Sequence, residues 1–379
     1  MSEAIEPFEI RVDDSVLEDL QRRLAQTRLP DQIEGTGWEY GIPMSYLREL
    51  VEYWRETYDW RAQEVRLNQL PHFRTRIDGQ SIHFIHARSA NPDALPLLIT
   101  HGWPGSVVEF LDVLPRLTDP EAHGGRAADA FHVVAPSLPG YGFSEPTRTR
   151  GWDVWRVAGA FTEMMGRLGY ARYGAQGGDW GAQVATRVGA LDPEHCAAIH
   201  LNLPLADPPD EPVELNEQDL ADLAALQAFT REESGYANEQ GTKPQTLGVG
   251  LNDSPAGLLA WIVEKFRAWS DCDGNPENVY ARDQLITNVM LYWVTQTITS
   301  SARLYWEHMH AGSPSPPYIG VPTGVARYPK EVLRFPRAWV ERRFNVTHWA
   351  DMPRGGHFAA MEQPELFVED VRNFFRTVP

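Results

Sequence analysis

Asp179 is the residue with the most evident chemical use, because it stands at the centre of Gly177-Gly178-Asp179-Trp180-Gly181. The segment lies between a predicted strand and a predicted helix, as a Gly-x-nucleophile-x-Gly elbow requires. The flanking glycines allow a tight turn that presents the central side chain at the helix N-terminus. A carboxylate attacks amides poorly, but it can displace at a strained or activated sp³ carbon and form an alkyl ester. The pentapeptide alone also fits a tight turn with a helix-capping Asp.

A second candidate segment, His101-Gly102-Trp103-Pro104, directly follows an apolar run at 95–100. In an α/β-hydrolase layout this turn supplies a backbone N–H to the oxyanion hole. We predict that the N–H groups of Trp103 and Trp180 converge on the oxygen that becomes charged during ester hydrolysis, with His101, Gly102 and Pro104 around the substrate pocket. A proline turn with a capping histidine is the structural alternative.

The candidate base is His357, in Arg354-Gly355-Gly356-His357-Phe358 between the last predicted strand and the last predicted helix. This position completes a nucleophile–acid–histidine order, and the histidine would deprotonate the water that attacks the ester. The acid that orients it should follow a strand, and Glu331 fits by position. Asp351 and Glu307 are the alternatives.

The elements around these residues alternate between strand and helix, which predicts an α/β protein with a doubly wound, mostly parallel sheet. Residues 206–310 break the alternation with helical segments and no clear strand, so we expect a helical cap there. Capped helices and an Asp-Gly hairpin at 75–86 precede the first buried strand. The predicted regions are an N-terminal extension at 1–90, a core in two parts at 91–205 and 311–379, and the cap at 206–310.

Composition excludes several classes of protein. The 379 residues carry 34 Lys and Arg against 52 Asp and Glu, a formal net charge of −18, which argues against nucleic acid or an anionic membrane as partner. Two cysteines, no signal-peptide layout and no apolar run near the roughly 18–20 residues of a membrane span predict a soluble, cytoplasmic protein with reduced thiols. His83 and His86 lie three apart in an alternating strand and should face opposite sides, so no metal site is expected.

Taken together, the motifs make the chain resemble a microsomal-type epoxide hydrolase of the α/β-hydrolase superfamily over essentially its whole length. The matching stretches, beyond those already given, are Pro139-Gly140-Tyr141-Gly142-Phe143-Ser144, Glu233-Ser234-Gly235-Tyr236, Thr242-Lys243-Pro244-Gln245-Thr246, Asn252-Asp253-Ser254-Pro255 and Val321-Pro322-Thr323-Gly324. The resemblance implies an α/β-hydrolase fold with a helical cap and an N-terminal extension that wraps the core. Soluble bacterial members look most similar, and antibiotic biosynthesis of the enediyne type in actinomycetes is a narrower hypothesis.

By this resemblance Asp179 is the nucleophile, Glu331 the charge-relay acid and His357 the base. Tyr236 and Tyr305 match the paired cap tyrosines, whose phenols, with a pKa near 10, can protonate the alkoxide that an opening epoxide releases. The implied reaction converts an epoxide and water to a vicinal diol without a cofactor. No nucleic acid or membrane partner is implied, and a homodimer is compatible with the sequence.

Three other functions are weighed against this one. A haloalkane dehalogenase uses the same Asp–His–acid logic but holds a halide, so the paired tyrosines favour the epoxide. A catalytically silent hydrolase used for binding would lack a triad member, and a serine hydrolase would need Ser at the elbow. The aromatic residues Trp103, Trp180, Trp293 and Trp306 are candidate pocket walls and favour a bulky or aryl epoxide, although core packing explains such residues equally well.

Overall fold

The computed structural model describes residues 4–209 and 211–378. A nine-stranded sheet runs through the molecule in the order β1-β2-β3-β5-β4-β6-β7-β8-β9. The strands are β1 Glu6–Pro7, β2 His72–Ile77, β3 Gln80–Ala87, β4 Leu95–Thr100, β5 Phe131–Pro136, β6 Tyr173–Gly177, β7 Cys196–Leu201, β8 Ile319–Arg327 and β9 Phe344–Asp351. The six strands β4 to β9 are parallel to one another. Strands β1, β2 and β3 extend the sheet beyond β5, and each pairs antiparallel with its neighbour.

The helices follow the order that the sequence predicts. They are α1 Asp14–Ala25, α2 Met44–Glu56, α3 Trp60–Leu67, α4 Leu114–Thr118, α5 Val154–Arg167, α6 Asp179–Leu191, α7 Glu217–Glu232, α8 Gly235–Thr242, α9 Pro244–Asp253, α10 Pro255–Trp269, α11 Arg282–Thr295, α12 Ile298–His310, α13 Arg337–Arg343, α14 Ala359–Glu362 and α15 Pro364–Phe375. The predicted helix at 107–117 is a 3-10 turn over Val107–Phe110 followed by the short α4. Helices α4, α5, α6, α13 and α15 pack on the sheet. Helices α7 to α12 lie in the region predicted as the cap, where α8 to α12 pack against one another.

Local chemistry explains the main elements. Strand β4 is an apolar run whose last four residues are buried, as expected for a central parallel strand. Asp78 and Gly79 both have positive φ, 48° and 76°, which is the turn geometry that an Asp-Gly hairpin requires. His83 is hydrogen-bonded to His72 and Ser137, whereas His86 bonds Tyr170. The two histidines therefore have separate partners.

The N-terminal region is joined to both other parts of the molecule. Strand β3 pairs with β5, so the region contributes three strands to the central sheet and does more than wrap it. Its helices also touch the cap: the Tyr53 hydroxyl lies 2.8 Å from Oδ1 of Asp283, and Tyr58 bonds Thr287. Within the described residues, no helix is long and apolar enough to cross a membrane. Cys196 and Cys272 are both buried free thiols.

Candidate active site

The site forms where the chain connection reverses direction in the sheet. From β4 the chain crosses to β5 on one side and then to β6 on the other, and such a switch point opens a crevice at the carboxyl ends of parallel strands. The His101 turn follows β4, Asp179 follows β6, and Glu331 follows β8. His357 comes from the loop between β9 and α14.

Asp179 occupies a strained elbow. Its φ is +51°, a left-handed conformation that a non-glycine residue adopts only when its surroundings enforce it. The two flanking glycines are required by contact, since a Cβ on Gly177 would lie 2.1 Å from the Gly181 carbonyl oxygen. A Cβ on Gly181 would lie 1.9 Å from the Thr100 carbonyl oxygen. The turn presents the carboxylate with one-fifth of its side chain exposed.

One side of the Asp179 carboxylate is held by the His101 turn. The backbone N–H of Trp103 donates to Oδ1 of Asp179 at 2.8 Å. Trp180 is the second residue of α6, and the first N–H groups of a helix have no acceptor within it. The Trp180 N–H is thus free of intrahelical bonding, and its role in the oxyanion hole stays a prediction.

The other side of the carboxylate faces His357. Its Nε2 lies 3.3 Å from Oδ2 of Asp179, and its Nδ1 lies 2.6 Å from Oε1 of Glu331. Burial disfavours the charged ring, but the carboxylates of Glu331 and Asp179 outweigh it and raise the pKa of His357 well above its ordinary 6.5. The three side chains form a carboxylate–imidazole–carboxylate series suited to nucleophilic attack followed by base catalysis.

The structure separates the alternative acids from this series. Oε2 of Glu307 accepts the backbone N–H of Gly151 at 2.8 Å. Asp351 is mostly exposed and pairs with Arg327. Glu307 and Asp351 are therefore not the partners of His357, because Glu331 already occupies its Nδ1 side.

The two cap tyrosines meet the Trp103 ring above the nucleophile. Tyr236 stacks on Trp103 with centroids 5.1 Å apart, and Tyr305 meets the same ring edge-on at 6.0 Å. The rings of Tyr236 and Tyr305 are 6.0 Å apart, and Tyr305 also contacts Trp180 at 4.7 Å. Burial and the nearby Asp179 charge raise the pKa of both phenols far above 10, so both hydroxyls are proton donors at neutral pH.

Two predicted pocket walls lie elsewhere. Trp293 lines a separate cleft of about 1090 Å³ beside α1, where Arg23 approaches its ring at 5.9 Å. Trp306 stacks on His310 at a centroid distance of 4.4 Å and lines another surface depression. Neither ring lines the small cavity beside Asp179 and His357, and the assignment of both to the substrate pocket stays a prediction. Trp269 lies nearer to the site, with its ring 5.1 Å from the His357 ring.

The residues of the His101 turn have different functions in the fold. Both ring nitrogens of His101 bond the backbone, one to the Gly102 carbonyl and one to the Leu138 N–H, and burial lowers its pKa to about 4. His101 is thus a neutral ring that fixes the turn. The Pro104 carbonyl accepts from Asn288 of α11, which ties the turn to the cap.

A small cavity beside the triad contains a carboxyl group that no sequence motif indicates. It offers about 20 Å³ to the centre of a water molecule, room for one. Glu109, Asp179 and His357 all line it. Burial raises the pKa of Glu109 to about 8, against the opposing effect of the charged His357 ring. The signal in the sequence is a single carboxyl in the apolar run Val107-Val108-Glu109-Phe110. No cluster of three or more metal-ligating side chains occurs among the described residues.

Comparison with known proteins agrees with this geometry. Residues 5–110 match a family profile described as "Epoxide hydrolase N terminus", and 95–246 match one described as "alpha/beta hydrolase fold". The chain is 50% identical over 375 residues to "Putative epoxide hydrolase" of Stigmatella aurantiaca, covering 98% of this chain and 85% of that protein. It is 40% identical over 409 residues to "Epoxide hydrolase 1" of Sus scrofa, covering 98% and 88%.

Solved structures give the same result. The crystal structure of juvenile hormone epoxide hydrolase from the silkworm Bombyx mori superposes with a TM-score of 0.91 at 36% identity, covering 99% of this chain and 95% of that one. Aspergillus niger epoxide hydrolase superposes with a TM-score of 0.90 at 32% identity, covering 99% and 97%.

The fold is that of an α/β-hydrolase, with a carboxylate at the turn after β6 that is predicted as the nucleophile elbow. The predicted fold and enzyme class are confirmed. The chain belongs to the microsomal-type epoxide hydrolase family, cofactor-independent enzymes that convert an epoxide and water to a diol.

Proposed function

We propose that the chain hydrolyses its epoxide in two steps through an alkyl ester on Asp179. The observation that carries this proposal is the position of one carboxylate between a His–Glu pair and a turn whose Trp103 ring contacts two tyrosines, the partly buried Tyr236 and the buried Tyr305. In the first step an Asp179 oxygen attacks an epoxide carbon and the ring C–O bond breaks. The released alkoxide takes a proton from the Tyr236 and Tyr305 pair.

Protons balance within the site through His357. In the resting enzyme the ring is charged, because two carboxylates flank it. Alkylation converts Asp179 to a neutral ester, which removes one of those charges and lowers the pKa of the ring. His357 can then give up its proton, restoring the tyrosine pair, and becomes the neutral base that the second step needs.

In the second step His357 takes a proton from water while the water oxygen attacks the ester carbonyl. The N–H groups of Trp103 and Trp180 stabilise the resulting oxyanion. Collapse releases the diol, regenerates the Asp179 carboxylate and leaves the ring charged again. The cavity between Glu109 and His357 has room for the attacking water, and a protonated Glu109 would donate a hydrogen bond to it.

The aromatic rings around Asp179 support a bulky or aryl epoxide as the substrate class. Trp103, Trp180, Trp269, Tyr236 and Tyr305 pack against one another beside the nucleophile, which suits a bulky or aryl epoxide. The cytoplasmic location expected from the sequence stays a prediction.

The test is diol formation from matched aryl and alkyl epoxides by the wild type and by Asp179→Asn. We expect aryl substrates to be preferred and the variant to be inactive on all of them. Haloalkanes are assayed alongside for halide release. Halide release without any diol would favour the dehalogenase alternative, and full diol formation by Asp179→Asn would reject Asp179 as nucleophile.

A further inference from the structure

A buried carboxylate outside the triad holds the loop that carries the base. Glu362, at the end of α14, accepts the backbone N–H groups of Gly356 and Phe358, one on each side of His357, both at 2.9 Å. It also accepts the N–H of Asp271 at 2.8 Å. Its side chain is nearly inaccessible, with the residue 7% exposed. The three N–H donors favour the charged carboxylate, but burial outweighs them and raises the pKa of Glu362 to about 7. Its oxygens are thus committed to these backbone groups, which is what ties the loop to α14.

The cap holds the same loop from its other face. Where α10 ends, the Trp269 carbonyl accepts the N–H of His357 at 2.9 Å. Oδ2 of Asp271 accepts the N–H of Gly355 at 2.9 Å. The approach is close, because a Cβ on Gly356 would lie 2.5 Å from the Trp269 carbonyl oxygen. The four successive N–H groups of residues 355–358 are thus all bonded to Glu362 or to the end of α10.

The nucleophile is held by different contacts. Asp179 is fixed by the strained turn after β6 and by the Trp103 N–H. Both contacts come from loops at the carboxyl ends of central strands of the sheet. The loop of His357 is consequently held from two directions. The end of α10 holds it on one side, and on the other the core holds it through Glu331 and through the Lys330 N–H, which donates to the Gly355 carbonyl. The 3.3 Å between His357 Nε2 and Asp179 Oδ2 therefore depends in part on the position of α10.

We propose that Glu362 and Asp271 are positioning residues that lock the loop of His357 to helix α10, and so serve the ester-hydrolysis step but not the alkylation step. The inference rests on the proposed function, because there His357 acts only after the ester has formed, first returning a proton to the tyrosine pair and then activating water. Displacing a base by about 1 Å can slow the step it serves by about a hundredfold, whereas attack by Asp179 needs no base.

The first test is Glu362→Gln, which keeps the size of the side chain but turns an amide NH₂ toward backbone N–H groups that need an acceptor. In single-turnover experiments we expect ester decay to slow by roughly tenfold or more, with ester formation changed by less than about threefold. The ester should then accumulate and appear as added mass on the intact protein. Glu365→Gln, three residues further on and largely exposed, is the matched control and should behave as wild type.

The second test compares two substitutions at Asp271. Asp271→Asn keeps an oxygen that accepts the Gly355 N–H and should retain the wild-type ratio of the two rates, whereas Asp271→Ala should slow ester decay selectively. This pair carries the test if Glu362→Gln does not fold. Parallel loss of both rates, or lowered stability with an unchanged ratio, would show a merely structural role and overturn the inference. Absence of any ester in His357→Gln would instead overturn the proposed function, and this inference with it.

Discussion

A Cβ atom on Gly102 would lie 2.0 Å from Oδ1 of Asp179, so the glycine packs directly against this carboxylate. The contact exists because the next residue, Trp103, must bring its N–H to the same oxygen. We therefore expect Gly102→Ala to displace the carboxylate and to slow ester formation by about a hundredfold.

Stopped-flow measurement of ester formation checks this expectation. Gly159→Ala is the control, because Gly159 lies in α5 with no atom within 4 Å of its added Cβ. That change should leave the rate unaltered and stabilise the helix by about 0.5–1 kcal/mol. Ester formation at the wild-type rate in Gly102→Ala would show that the Asp179 carboxylate can shift away from residue 102 and still react normally.

Replacing the base should separate the two chemical steps. We expect His357→Gln to form the ester on Asp179 and to hydrolyse it extremely slowly, because attack by a carboxylate needs no base and activation of water does. Mass spectrometry of the intact protein after brief exposure to an epoxide should reveal the adduct. His310→Gln, an exposed histidine on α12, is the control. Steady turnover by His357→Gln would remove this residue from the mechanism.

The identity of the acid can be tested with two equal substitutions. Glu331→Gln removes the charge that holds His357 Nδ1, and we expect kcat to fall by about a hundredfold or more. Glu307→Gln removes a carboxylate that accepts the Gly151 N–H and should leave kcat near that of the wild type. Steady-state kinetics on one epoxide is sufficient. The reverse pattern would restore Glu307 as the acid.

The cap tyrosines should act as a pair on the alkoxide. Tyr236→Phe and Tyr305→Phe each remove one hydroxyl, and we expect ester formation to slow by about tenfold to a hundredfold for either change. The double variant should lose far more, because the alkoxide would have no donor left. Tyr40→Phe, an exposed tyrosine, controls for loss of a phenol. Equal rates in the single and double variants would mean that only one hydroxyl takes part.

Glu109 makes stability depend on pH in a calculable direction. Its pKa is about 8 in the folded protein and about 4.5 when exposed, so between these values the folded state keeps a proton that the unfolded state has released. Stability therefore falls as pH rises through this window, by up to about 1.4 kcal/mol per pH unit from this group. In Glu109→Gln that contribution disappears. The free energy of unfolding of the variant should therefore increase relative to that of the wild type as pH rises.

Urea unfolding at two pH values inside this window measures the gain. Glu121→Gln, an exposed carboxyl on the same segment of chain, should give no such trend. A Glu109→Gln difference that is constant with pH would indicate that Glu109 is already ionised in the folded enzyme.

The elbow and the histidine loop can be predicted from sequence because their requirements are local. Gly177 and Gly181 are needed by contacts within a few residues or with the adjacent strand, and such a pattern is visible in five letters. The side on which a cap residue lies is not local. Tyr305 and Trp306 are neighbours on α12, yet Tyr305 contacts Trp103 and Trp180 whereas Trp306 stacks on His310, since successive helical positions differ by about 100°. Glu109 is visible in the sequence as a single carboxyl in an apolar run, but its place beside Asp179 and His357 is not, because it depends on contacts between segments far apart in the chain.

The pairing of β3 with β5 joins the N-terminal region to the central sheet. Backbone hydrogen bonds run without interruption from the N-terminal hairpin into the catalytic sheet, so removing the hairpin would uncover a row of unpaired groups on β5, an edge prone to aggregation. The two family profiles overlap at residues 95–110, and this overlap includes β4 and the turn that touches Asp179. The two regions are thus joined through one continuous sheet, and exchanging the N-terminal region between relatives would also replace the strand and turn that contact Asp179.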